Sequence, residues 1–329
     1  MEVLRPDETA RAAALLREGR LVAFPTETVY GLGAWAREPL AVRRVFEAKG
    51  RPAGHPLIVH LPDAAALDEW TEAGPVAHLL AERFWPGPLT LVVPRRPIVP
   101  DEVTGGRDTV GVRVPDHPVA LAMLRDLGSG VAAPSANRFG HVSPTTAAHV
   151  IADLAGRIDA VIDGGPCPVG VESTIVEVVG PVLQILRPGG ISADELEDAA
   201  RVGVQRIPTG PSRAPGMLTV HYAPRARVVI VDAVGGDSPS AAAHQVAAEL
   251  AAAGHRIAVL APEPIEGLGL LDGVIELAPA GPPAHYARVL YARLREADDR
   301  GADVVVCVAP PAVGVGVAVR DRLARAAGA

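Results

Sequence analysis

Directly behind a short apolar run stands Pro25-Thr26-Glu27-Thr28-Val29-Tyr30-Gly31-Leu32-Gly33, which gathers two hydroxyls, a carboxylate, a phenol and two glycines. Strand ends in α/β proteins are where ligands are gripped, and this density of polar groups suits a grip. A tight turn with surface threonines accounts for the same residues equally well. Lys49-Gly50-Arg51-Pro52 poses a similar choice. A cation in the last turn of a helix, followed by a left-handed Gly, complements the helix dipole and needs no ligand. A compact ammonium beside a planar guanidinium also suits a polyphosphate.

Thr109-Val110-Gly111-Val112-Arg113-Val114-Pro115 sets Arg113 inside an apolar strand. A buried guanidinium requires an anion, either an internal acid or a substrate carboxylate. Ala133-Pro134-Ser135-Ala136-Asn137, with Gly140 and Ser143 behind it, ends another strand in polar groups; Glu172-Ser173-Thr174 precedes a strand and Arg187-Pro188-Gly189 follows one. Jointly these fragments put hydroxyls, an amide and cations at a sheet margin, a setting for an anionic, hydroxylated ligand. Two lookalikes fail. Gly314-Val315-Gly316 lacks the third glycine and the acidic residue of a dinucleotide fingerprint, and no GxxxxGKS/T run exists to form a P-loop. His221-Tyr222-Ala223-Pro224 is either linker punctuation or a polar pair able to cover a cleft.

The elements that must hold these groups alternate. Strands are expected at Leu21–Phe24, Leu57–His60, Leu89–Val93, Val110–Val114, Val131–Ala133, Val161–Ile162, Thr174–Val178 and Gln184–Leu186. Helices are expected at Asp7–Gly19, Pro39–Lys49, Val76–Phe84, Val119–Leu127, Thr145–Leu154 and Ala193–Ala199. Residues 203–224, rich in Pro and Gly, read as a linker between a first domain, 1–202, and a second, 225–329. The second domain restarts the alternation over about a hundred residues, as a small Rossmann-like unit. The alternation implies a mostly parallel sheet covered on both faces.

At 329 residues and 49% hydrophobic content the chain has material for two cores. The formal net charge of -7, with no run of like charge, argues against stable nucleic-acid binding. Cys167 and Cys307 stand alone, without the spacing of a disulfide framework or a zinc site, so no metal ligands are assigned. No stretch reads as a leader or a membrane span, and a reducing cytoplasm is the expected location.

The order of the fragments is more specific than any one of them. Pro25–Gly33, Lys49–Pro52, Trp85-Pro86-Gly87-Pro88-Leu89-Thr90, Gly111–Pro115, Pro134–Asn137, Glu172–Thr174 and Arg187–Gly189 together resemble the YrdC-type threonylcarbamoyl-AMP synthases in their longer two-domain form. The linker run Ala214–Met217 with His221–Pro224, and the closing Gly314–Leu323, extend the resemblance to the whole chain. It implies a twisted α/β catalytic domain with a concave cleft. The implied reaction converts L-threonine, bicarbonate and ATP to threonylcarbamoyl-AMP and pyrophosphate, with Mg²⁺ accompanying the triphosphate. The product would pass to a separate tRNA threonylcarbamoyl transferase.

Carried onto these residues, the resemblance gives threonine to Thr28, His60, Arg113, Ser173 and the backbone at Ala133. Lys49, Arg51 and Arg187 would hold phosphates, with Lys49, Arg51, Ser135 and Asn137 as the catalytic set. Thr109, Ser135, Asn137 and Ser143 would bond phosphate, ribose or base, and His221 and Tyr222 would cover the nucleotide. His55, in a variable spot between Arg51 and Pro56, would add a nucleotide contact. Leu218 and Val220 stand where many relatives carry basic linker residues, leaving His221 and Tyr222 as the covering pair. No general base is assigned. Two rivals are a carbamoyl-adenylate-forming carbamoyltransferase on the same fold, which would need further domains, and an RNA-binding module, which the acidic charge disfavours.

Overall fold

The helix Pro39–Lys49 forms as its sequence dictates: Glu38 accepts the amide of Leu40, Pro39 opens the first turn, and Gly50 closes the last at φ 65. It belongs to a computed structural model that describes residues 1–178, 180, 182–205, 222–232 and 238–328. The described residues divide into two compact units, one built on 1–139 and 143–205, the other on 140–142 and 222–328.

The first unit holds β1 (Glu2–Leu4), β2 (Val22–Phe24), β3 (Gly31–Trp35), β4 (Ile58–His60), β5 (Leu89–Pro94), β6 (Thr109–Arg113), β7 (Val131–Ala133), β8 (Ala160–Ile162), β9 (Thr174–Glu177), β10 (Leu183–Arg187) and β11 (Val204–Gln205). They form one sheet in the order β1-β8-β2-β3-β7-β4-β6-β5-β9-β10-β11. The α/β class is as expected, but the sheet is mixed rather than mostly parallel. Five pairings are parallel, and five, β2–β3, β3–β7, β4–β7, β5–β6 and β9–β10, are antiparallel. The polar run after β2 is a short reversal into β3, not a crossover, and short reversals make antiparallel neighbours. Val204 and Gln205, expected in the linker, pair with β10, so the chain leaves this sheet only after Gln205.

Side chains alternate between the faces of a strand. Leu32, Val59, Leu91, Val112, Ala132 and Val176 enter the main core with Val42, Leu80 and Val150 of the helices Pro39–Lys49, Pro75–Phe84 and Ala147–Leu154. The alternate positions Gly31, Ala133, His60, Gly111, Arg113 and Thr90 therefore share the opposite face. One end of that face, around Phe24, Val131 and Ala133, packs on helices Thr9–Arg17 and Pro118–Leu127. Farther along, among the described residues, it carries the small apolar cluster Ile58, Val92, Ile175 and Leu186.

The second unit is the expected Rossmann-like fold. Strands β12 (Arg227–Val231), β13 (Ile257–Leu260), β14 (Val274–Glu276) and β15 (Val304–Val308) lie in the order β12-β15-β13-β14, all parallel. Helices Pro239–Ala252, Pro283–Asp299 and Gly316–Ala327 accompany them. Among the described residues no helix is long and apolar enough to cross a membrane.

Candidate active site

The turn from β2 into β3 is held in shape by its own hydroxyls. Thr26 Oγ1 accepts the amides of Thr28 and Val29, each at 3.2 Å, and donates to the Val29 carbonyl at 2.6 Å. With that proton committed, the 2.9 Å contact between the two threonine oxygens has Thr28 as donor. Neighbouring loops clamp the turn: the amides of Val169 and Gly170 bond the carbonyls of Glu27 and Thr28 at 2.8 and 3.2 Å. Tyr30 hydroxyl donates to Gly165 O at 2.8 Å, and burial pushes its ionisation well above the ordinary phenol value. Tyr30 is thus part of the scaffold.

Arg113 reaches this turn from the end of β6. Its Nη1 donates to Thr28 Oγ1 at 3.0 Å, and its Nη2 lies 2.5 Å from Glu27 Oε1, both side chains being about 5% exposed or less. Glu27 is therefore the internal acid whose identity the sequence left open. The pair makes charge contact without an aligned hydrogen bond. Neither Glu27 oxygen, nor Arg113 Nε or Nη2, has a hydrogen-bond partner among the described residues. His60 is the register neighbour of Arg113 on β4. Its ring stands edge-on to Phe24 at 5.5 Å, and among the described residues Nδ1 has no hydrogen-bond partner. Burial, then the nearby Arg113 charge, pulls its pKa down to about 3, so the imidazole is neutral at neutral pH. Ala133, at the end of β7, is paired with Ile58 on β4, adjacent to these groups.

Lys49 serves a second cluster. Its Nζ donates to Ser135 O at 2.6 Å, to Asn137 Oδ1 at 3.2 Å and to Asn137 O. Ser135 Oγ donates to Asn137 Oδ1 at 2.5 Å. Burial, then Arg51, lowers the Lys49 pKa well below its ordinary value. All three ammonium protons are spent on one loop, which neither the helix-end nor the phosphate reading anticipated. Lys49 is also the only lysine in the chain, every other Lys or Arg being Arg, a signal the sequence offered directly. Three convergent oxygens suit a compact ammonium better than a planar fork.

Beyond β9 the third cluster forms. Arg187 donates from Nε and Nη2 to Ser173 O at 3.2 and 3.0 Å, and from Nη2 to Ser173 Oγ at 3.1 Å. Ser173 Oγ also meets Thr90 Oγ1 at 2.8 Å, and Ser143 Oγ donates to Glu172 Oε1 at 2.6 Å. Gly189 makes the close approach possible, since a Cβ there would lie 2.1 Å from the Thr174 nitrogen. Arg51 donates to Pro56 O at 3.1 Å and lies over the Phe139 ring, which His55 meets edge-on at 5.8 Å. Burial, then Arg51, lowers the His55 pKa. Thr109 opens β6, four residues and ~13 Å along the strand from Arg113.

The covering pair is divided. His221 lies outside the described residues. Tyr222 belongs to the second unit, where its ring is buried against Tyr291 at 5.8 Å and beneath Arg322 at 5.2 Å. It adopts φ 64, uncommon for a bulky residue.

This α/β protein thus gathers three buried guanidiniums, a buried Lys side chain and a set of buried hydroxyls in its first unit. The chain belongs to the threonylcarbamoyl-AMP synthase family. Residues 14–189 match the Sua5-YciO-YrdC family model, described as telomere recombination, and residues 191–328 match the threonylcarbamoyl-AMP synthase C-terminal domain. The chain is 43% identical to the threonylcarbamoyl-AMP synthase of Bacillus subtilis, over 98% of this chain and 93% of that one. The crystal structure of Pyrococcus abyssi Sua5 complexed with L-threonine is 40% identical, with a TM-score of 0.91 over 99% of this chain and 97% of that one. A variant of the same protein with a histidine and the next residue, a tyrosine, both changed to alanine matches with TM-score 0.91 at 38% identity, over 100% and 97% of the two chains.

Proposed function

We propose that this chain condenses L-threonine, bicarbonate and ATP into L-threonylcarbamoyladenylate and pyrophosphate. The observation that carries the reading is the buried Thr28–Arg113–His60 constellation, in a chain so similar along its length to named synthases. Arg113 receives the threonine carboxylate, while Thr28 and Ser173 hydroxyls, neutral His60 and the Ala133 backbone surround the remainder. The threonine amine attacks the carbon of bicarbonate and water leaves, giving a carbamate. A carbamate oxygen then attacks the α-phosphorus, and the bond to pyrophosphate breaks.

Arg51 and Arg187 compensate the charge that moves onto the leaving group, and Lys49 holds the Ser135–Asn137 loop against the nucleotide. Thr109, Ser143 and His55 complete the proposed nucleotide contacts. The chain's part is positioning and electrostatics. ATP is taken as its Mg²⁺ complex. The proposed ion travels on the triphosphate, whose charge it offsets. The product is an activated carbamoyl donor for a separate tRNA-modifying transferase, which makes this a nucleotidyltransferase of tRNA processing. Pyrophosphate release measured with threonine and bicarbonate omitted in turn should fall to background in both cases. Release independent of both would overturn the assignment.

A further inference from the structure

The Arg113–Glu27 pair is more than a neutralised core charge. Replacing one partner of a buried ion pair leaves an uncompensated charge, whereas a well-made pair satisfies its remaining donors and acceptors. This one does not: four of its polar atoms, Glu27 Oε1 and Oε2 and Arg113 Nε and Nη2, have no hydrogen-bond partner among the described residues. Such groups call for an explanation, and a ligand site is one. The groups facing the pair are the Thr28 hydroxyl, His60, His117 and the Cys167 thiol. Burial drives both imidazoles toward the neutral form and pushes the thiol up to about 12, so none of them adds charge. One positive and one negative charge remain, side by side in a low-dielectric wall. That is the complement of a molecule carrying a carboxylate and an ammonium on one carbon.

Building on the threonine-binding reading, we infer that Glu27 is a specificity-determining residue. Its carboxylate makes the Arg113 subsite select zwitterionic α-amino acids and reject hydroxy acids that carry only the negative charge. Arg113 without Glu27 would attract any carboxylate. With Glu27, a simple anion meets a second negative charge that nothing on the ligand offsets, while an α-ammonium offsets it. The field acts at short range and does not require the ammonium to touch Glu27.

Binding to the full-length protein at about pH 7 tests this. Three ligands are compared: L-threonine, its analogue 2,3-dihydroxybutanoate with a hydroxyl in place of the amine, and the cationic threonine amide. Wild type should prefer threonine to each by at least about 100-fold, on the scale of an uncompensated buried charge. In Glu27→Gln the preference for threonine over dihydroxybutanoate should narrow by at least about tenfold, ATP binding being unchanged. Glu27→Asp, which keeps the charge, should retain most of the preference. A purely structural role would weaken all three ligands together and leave the ratio fixed. An unchanged ratio in folded Glu27→Gln overturns the inference. So does a wild type that binds dihydroxybutanoate as tightly as threonine, a result that needs no variant to fold. If wild type binds no threonine at all, the functional reading falls with it, a separate outcome.

Discussion

Two residues show how far a side-chain type constrains its role. Lys49 satisfies the oxygens of Ser135 and Asn137 from inside the protein. Lys49→Met keeps the length and removes the donors, so the Ser135 and Asn137 oxygens lose hydrogen bonds from a charged group at ~1–3 kcal/mol, and turnover should fall with the loosened loop. A helix-end cation would cost a few tenths of a kcal/mol and leave the rate intact. Urea unfolding and kcat on that variant separate the two roles, and lost turnover at unchanged stability would favour direct phosphate contact. His60 makes a pH prediction. Its folded pKa is about 3, below the ordinary imidazole value, so between the two the unfolded chain binds a proton that the folded chain does not. Stability from this residue is complete above ~6.5 and is lost as pH falls toward 3, at up to ~1.4 kcal/mol per pH unit. Urea midpoints should show His60→Gln losing ~2 kcal/mol less than wild type between pH 7 and pH 5. Equal losses would mean that His60 is protonated in the folded protein.

At the scale of elements, glycines decide which strands can approach one another. Gly189 lies against the Glu172–Thr174 backbone, with no flexible side chain there to move aside. Gly189→Ala should push β9 from β10, release Arg187 from Ser173, and cost at least the ~1–3 kcal/mol of overpacking together with most of the activity. Gly50→Ala meets nothing within 4 Å but must hold φ 65, so it should cost only ~1 kcal/mol. Thermal melts of the two variants check the order, and equal costs would contradict it. The same close packing explains why β3 is hard to read in the sequence. Gly31 and Gly33 lie over Phe24, and a Cβ at Gly33 would come within 2.7 Å of Val131. A strand carrying two glycines has no alternating signal, and the run before it looks like a loop alone. The helix Pro39–Lys49 was legible because its cap, proline and terminal glycine are local. Strand direction was not, because it depends on which strands meet. The motif around Glu27 does not disclose its role, since its partner Arg113 lies 86 positions along the chain. The cation sites were legible as types; their partners, the carbonyls of Ser135, Asn137 and Ser173, were not, because any residue offers a carbonyl.

For the whole molecule, the question is what the first unit needs in order to fold and to act. Among the described residues its apolar clusters draw their members from Leu4 to Val204. Helix Ala193–Ala200 begins with a capping box at Ser192 and Glu195, and β11 then closes the sheet edge. A chain ending at Gln205 therefore retains these clusters whole and should unfold in one cooperative urea transition. Activity is another matter. Gly140–Val142 group with the second unit, where the amide of Ala223 bonds Gly140 O at 3.0 Å and Ala223 bridges to His141. These residues stand in the chain between Asn137 and Ser143, two of the proposed nucleotide contacts. Removing Ala223 leaves that stretch without its partner while β7, the strand before it, keeps both neighbours. The shortened chain should therefore be folded but slow, with residues 138–143 exchanging backbone hydrogens faster than in the full protein and residues 131–133 as protected as before. Full turnover from the shortened chain, or unchanged exchange at 138–143, would show that the second unit contributes nothing to this loop. Loss of the cooperative transition would show instead that the first core is incomplete without the rest of the chain.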